Sequence, residues 1–69
     1  MDFYSWITEQ VGRDDPVGDL AMDISRDPEC PTSSSSLSEW VEYLNSRNAC
    51  GYAIEALATA FGEFSEVKQ

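Results

Sequence analysis

Five aspartates fall between Gly12 and Pro28, in "GRDDPVGDLAMDISRDP", and four of them, Asp15, Asp19, Asp23 and Asp27, recur at every fourth position. Carboxylates at this density could hold a divalent cation, work as an acid–base pair, or attract the cations of a partner. On an α-helix, four residues advance about 6 Å and about 400°. The four side chains therefore climb one slowly drifting ridge. Calcium loops need oxygens that converge from alternating positions around a glycine-assisted turn, with a closing Glu. A straight ridge does not converge, and "DDPVGD" lacks that pattern. Acid–base catalysis needs two carboxyl groups held across a cleft with their pKa values pushed apart. Nucleophilic catalysis by Ser or Cys needs a base, usually His, and the chain has no histidine. The expectation is a protein without metal, cofactor or enzymatic activity.

Docking is the chemistry that remains. The plain reading of the ridge is a solvated helix face, with Asp15 as the cap that starts the helix and Asp27 as its stop. The functional reading is an anionic docking surface built from Asp14, Asp15, Asp19, Asp23 and Asp27, with Glu39 and Glu42 further along. Like charges at i,i+4 cost a helix a few tenths of a kcal/mol per pair. Arg26, three residues after Asp23, can offset part of this, and Asp15 and Asp19 gain from the positive end of the helix dipole. A surface on which the second helix's carboxylates join Glu39, Glu42 and Glu55 or Glu63 would favour docking over solvation.

The whole chain carries thirteen acids against four bases, a formal charge of −9. Nucleic acids and anionic membranes need cationic partners, so neither is an expected ligand. A basic protein is, for instance one that itself binds nucleic acid, and the charge would steer the encounter. The alternative is a nucleic-acid-mimicking inhibitor of the phage anti-defence or anti-CRISPR type, since duplex DNA presents one charge per about 1.7 Å of axis. A third source of acidity is adaptation to a salty solvent, with no partner at all.

Helical periodicity places these groups. The first helix spans about Phe3 to Val11, capped by Asp2, with Phe3, Trp6, Ile7 and Gln10 on one face and Gly12 as its end. The second begins at Asp15-Pro16, carries the stripe Val17, Leu20, Ala21 and Ile24, and stops at Asp27-Pro28. In "DPECPTSSSS" the prolines and serines break regular structure. Cys30 fills an apolar spot there, and Ser33 to Ser36 read as a flexible connection. Ser36-x-x-Glu39 is a capping box for a third helix with the stripe Leu37, Trp40, Val41 and Leu44, closed by "NSRN". The fourth runs from about Ala49 to Glu66, with Asn48 as N-cap and Cys50, Ala53, Ile54, Leu57, Phe61 and Phe64 at helical spacing. Phe3, Trp6, Trp40, Phe61 and Phe64 read as core. Tyr4, Tyr43 and Tyr52 fall beside the stripes and are candidates for an interface.

No stretch alternates with period two. The fold class is all-α, a compact bundle of four or five short helices in one domain over residues 1–69. A chain of this size buries about 60% of the surface its unfolded form exposes, which leaves little room for a deep cleft. No apolar run approaches the roughly 18 residues of a membrane span, and the first residues do not resemble a signal peptide. Two cysteines are too few for a disulfide scaffold, so the expected location is cytoplasmic, with free thiols.

"FYSWITEQVGRDDPVGDLAMDISRDPECP" followed by "EWVEYLNSRNACGYAIEALATAFGEF" resembles the YozE SAM-like family, small bacterial proteins with a fold like sterile alpha motif domains. The likeness covers roughly Phe3 to Phe64. It rests on Phe3-Tyr4-x-Trp6, Asp15-Pro16-x-Gly18-Asp19-Leu20-Ala21, Asp27-Pro28, and Tyr43-Leu44 leading to Ala49-Cys50. Cys30 departs from it where relatives tend to place an aromatic, and the serine run is unusually plain. The resemblance implies the fold and brings no catalytic residue or cofactor. Sterile alpha motif domains elsewhere mostly bind proteins, less often RNA, which is analogy at the level of fold.

Overall fold

The computed structural model describes residues 2–48 and 51–68. Among these the chain forms four helices and no strand, α1 (Phe3–Thr8), α2 (Pro16–Arg26), α3 (Leu37–Ser46) and α4 (Gly51–Lys68). The long α4 packs against each of the other three, and α1 also packs against α2. Two of the expected starts are in place. Asp2 Oδ1 accepts from the Ser5 N–H at 2.8 Å, and Asp15 Oδ1 accepts from the Gly18 N–H at 2.9 Å, with Pro16 in the first turn. Each satisfies a donor that a helix start otherwise leaves unpaired.

Other boundaries differ from the sequence reading for local reasons. α1 stops at Thr8 rather than Val11. Beyond it the chain tightens into i→i−3 turns, Glu9 N–H to Trp6 O at 3.1 Å and Gln10 N–H to Ile7 O at 2.9 Å. The side chain of Gln10 donates to the Trp6 carbonyl, one of the last carbonyls of α1, which so needs no further helical turn; Thr8 Oγ1 donates back to the Tyr4 carbonyl. No described glycine has a positive φ, so Gly12 does not act as a left-handed cap.

The Ser36–Glu39 capping box does not form. Ser36 is the N-cap residue of α3, yet its hydroxyl caps no backbone N–H and lies 3.0 Å from the Ser38 hydroxyl. Serine hydroxyls offer the backbone local alternatives to a cap, and here the Ser36 N–H donates to Ser34 Oγ. The serine run is a fastening rather than a plain tether. Ser35 Oγ accepts from the Phe3 N–H at 3.2 Å, and the Ser34 carbonyl accepts from Trp40 Nε1 at 2.9 Å.

The expected start of α4 at Ala49 lies outside the described residues, and what is described of Asn48 is its backbone. Its φ of 57° is left-handed, a conformation asparagine tolerates better than most residues. It lies just past Arg47, the C-cap of α3, and terminates that helix. The expected place of Cys50 on the fourth stripe lies outside the described residues.

Phe3 centres the core. Its ring stacks on Phe61 with centroids 3.9 Å apart and meets Trp40 and Phe64 edge-on at 5.1 and 5.5 Å, arrangements that aromatic quadrupoles favour. All five aromatics assigned to the core are buried, as is the whole α2 stripe. Cys30 is buried too, with Sγ 4.0 Å from the Ile24 carbonyl. Leu37 is not core, at 42% exposure, and Val41 is half-buried. Trp40 and Leu44 alone are the fully enclosed residues of α3.

Candidate functional site

Because Val17, Leu20, Ala21 and Ile24 turn one side of α2 inward, the Asp15–Asp19–Asp23–Asp27 row is carried to the flank that meets α4. A groove runs between the two helices as three shallow depressions that share walls. At one end Arg13, Asp15 and Pro16 face Tyr52, Glu55 and Ala56 across about 180 Å³. In the middle Asp19 and Asp23 face Tyr52, Ala53 and Ala56 across about 160 Å³. At the far end Asp23 and Asp27 face Tyr43, Leu44, Arg47 and Ala53 across about 280 Å³. At 1.5 Å per residue, the ridge from Asp15 to Asp27 is about 18 Å long. Leu20, Ala53 and Ala56 give the groove an apolar floor, and Tyr52 stands beside it 63% exposed.

An arginine closes each end. Arg13 grips Glu63 with two bonds of 2.7 and 3.1 Å and holds Asp15 Oδ2 through Nε and Nη2 at 3.0 and 2.8 Å. This forked geometry is the strong form of an ion pair. Asp15 is held below the usual carboxylate range by the Gly18 N–H and then by Arg13. The Arg13 guanidinium lowers Glu63 in the same way. Gly18 makes the arrangement possible, since a Cβ there would lie 2.0 Å from the Arg13 carbonyl oxygen.

At the other end Arg47 bonds Asp27 at 3.0 Å and Glu29 at 3.3 Å, with its guanidinium carbon 5.7 Å from the Tyr43 ring centre. The Tyr43 hydroxyl donates to Asp27 Oδ2, and the Glu29 N–H donates to Oδ1 at 2.9 Å. Asp27 is pushed down by Tyr43, then by the Glu29 N–H. Tyr43 is pushed well above the ordinary phenol range, first by burial and then by Asp27. This cluster ties the end of α2 to α3, two helices that share no close backbone contact.

The seven residues singled out from the sequence thus separate. Asp15 and Asp27 line the groove but are bound into the framework. Asp19 and Asp23 are exposed on its rim and make no ion pair among the described residues; Arg26, expected beside Asp23, makes none either. Asp14 is exposed in the turn before α2, and Glu39 and Glu42 are exposed on α3, outside the residues that line the groove. Glu55 joins the groove directly and Glu63 joins it through Arg13. Sequence reasoning missed the opposite wall. Tyr52 is an interface candidate on sequence grounds, but the half-buried Ala53 and buried Ala56 that form the floor beside it have no signature beyond small residues.

Among the described residues, no three His, Cys, Asp or Glu side chains come together as a metal site would require. No described helix is long and apolar enough to cross a membrane. The family model described as the YozE SAM-like fold matches residues 2–66 of the 69-residue chain. No curated protein and no solved structure matches it.

Proposed function

Since the chain belongs to the YozE SAM-like family, a small helical fold, we propose that it is a non-catalytic interaction module that binds a basic protein through its acidic α2–α4 surface. One observation carries this reading. The two arginines that line the groove, Arg13 and Arg47, are spent at its ends, on Asp15 and Glu63 and on Asp27 and Glu29. Asp19, Asp23 and Glu55 are left exposed around Tyr52 and an apolar floor. Fold maintenance accounts for the end carboxylates and, through the helix dipole, for Asp19 in the first turn of α2; it gives no reason for Asp23 or Glu55. Tyrosine beside apolar surface, with charge at the rim, is a common interface composition.

Capture from lysate by the wild-type domain, beside Asp19→Asn/Asp23→Asn, tests the proposal. The wild type is expected to retain a basic protein that the variant loses and that elutes as salt rises, because exposed ion pairs are screened over about 8–10 Å. Repeated recovery of no partner would count against the reading. Added DNA separates it from nucleic-acid mimicry: a mimic is displaced by DNA from its target, whereas a partner held elsewhere than in its nucleic-acid groove stays bound.

A further inference from the structure

From the groove's dimensions and charge, and resting on the docking function proposed above, we infer that its occupant is an amphipathic basic α-helix, seated along the groove with its apolar stripe on Ala53 and Ala56 beside Tyr52 and its cations against Asp19 and Asp23. Both walls are helices, so the groove offers no sheet edge. An extended peptide would find no backbone ladder to join, and its own N–H and C=O groups would be covered without partners. A helix brings its backbone bonds with it.

The spacing agrees. Asp19 and Asp23 are one i,i+4 step apart, about 6 Å along α2, and Lys or Arg at i,i+4 on a partner helix repeats that interval in either direction. The roughly 18 Å between the arginine-closed ends accommodates about three helical turns. The floor is low because α4 presents alanines there, and small side chains let helix axes approach toward the near end of the usual 8–10 Å range. A second copy of this chain is a poor occupant, since its −9 charge would meet the same charge.

The test uses two synthetic peptides of about 15 residues and equal composition. One has leucines at i, i+3, i+4 and i+7 flanked by lysines at i,i+4; in the other the order is scrambled. Each is titrated into the isotopically labelled domain and followed by NMR. The amphipathic peptide is expected to bind at least tenfold more tightly and to shift Asp19, Tyr52, Ala53 and Ala56. Tyr52→Ala should weaken it about tenfold, the scale of an aromatic hot spot. Asp19→Asn/Asp23→Asn should weaken it and flatten its salt dependence, while Glu39→Gln/Glu42→Gln leaves it within about twofold. Equal binding of both peptides, with shifts spread over Glu39 and Glu42, would overturn the helix-in-groove inference and leave the anionic docking function standing. Binding by neither peptide would overturn both.

Discussion

Replacing Gly18 by alanine separates this structure from what helix propensity alone would predict. Gly18 lies in the first turn of α2, and alanine is favoured over glycine inside helices by up to about 1 kcal/mol. On that ground Gly18→Ala should stabilise the domain. In the structure the new Cβ would stand 2.0 Å from the Arg13 carbonyl oxygen and 2.7 Å from the Arg13 carbonyl carbon, where ordinary contact begins at 3.4 Å. The opposing atoms are backbone, so no rotamer change relieves the clash, and the Arg13 segment must retreat by about 1.4 Å. Overpacking of this kind costs about 3 kcal/mol at the upper end of its usual range. Against the propensity gain the net loss is about 2 kcal/mol, or a fall in Tm of about 10 °C for a domain of this size. The same shift pulls Arg13 away from Glu63. The internal control is Gly62→Ala, also within a helix, where a Cβ meets nothing within 4 Å; it should gain about 0.5–1 kcal/mol. Urea unfolding followed by tryptophan fluorescence and circular dichroism reads both. A Gly18→Ala domain as stable as the wild type would refute the close approach, and with it the way Arg13 is positioned.

Acid should unfold the domain through its framework carboxylates. Asp15, Asp27 and Glu63 all have folded pKa values below their ordinary ones, so the unfolded chain binds more protons. Their stabilisation is complete above the ordinary carboxylate range near pH 4 and is lost as pH falls through the folded values; a Tm that stays flat from pH 6 to about pH 2 would contradict this. Tyr43→Phe should lower stability and shrink that acid dependence by freeing Asp27, as melts at pH 7 and about pH 3 would show. A double-mutant cycle of Arg13→Met and Glu63→Gln should give a coupling of about 1 kcal/mol or less, because both side chains remain partly exposed. Asp23→Asn should leave stability unchanged or raise it by a few tenths of a kcal/mol by relieving like-charge repulsion, whereas Asp27→Asn lowers it; equal losses in both would contradict the division of the acidic row.

Much of this was readable from residue order. The Val17–Leu20–Ala21–Ile24 stripe, the Asp2 and Asp15 caps and the aromatic core depend on periodicity and on local chemistry, which a sequence displays directly. The other local readings share a limit. Ser36–Glu39 matches a capping box, but the neighbouring Ser34 and Ser38 hydroxyls compete for the same partners. Asn48 is a good N-cap residue and also a good left-handed residue, and one-dimensional reasoning cannot separate the two uses. Leu37 falls on the α3 stripe, yet it is the first helical residue and lies 42% exposed.

The acidic row was visible, but its division was not. Nothing local announces that Arg13 reaches Glu63, fifty residues away, or that Arg47 and Tyr43 close on Asp27. The long-range contacts fix Asp27 directly and anchor the arginine that holds Asp15, whereas Asp19 and Asp23 stay exposed and make no ion pair among the described residues; we propose that these two meet the partner.

The most direct measurement of that claim is position-specific photo-crosslinking in cells, with the reactive side chain placed at Tyr52 in one protein and at Glu42 in another. The account predicts a discrete adduct with a basic protein from position 52 only, abolished by Asp19→Asn/Asp23→Asn. Adducts of equal yield from both positions, or an adduct from position 42 alone, would contradict the α2–α4 groove as the docking surface.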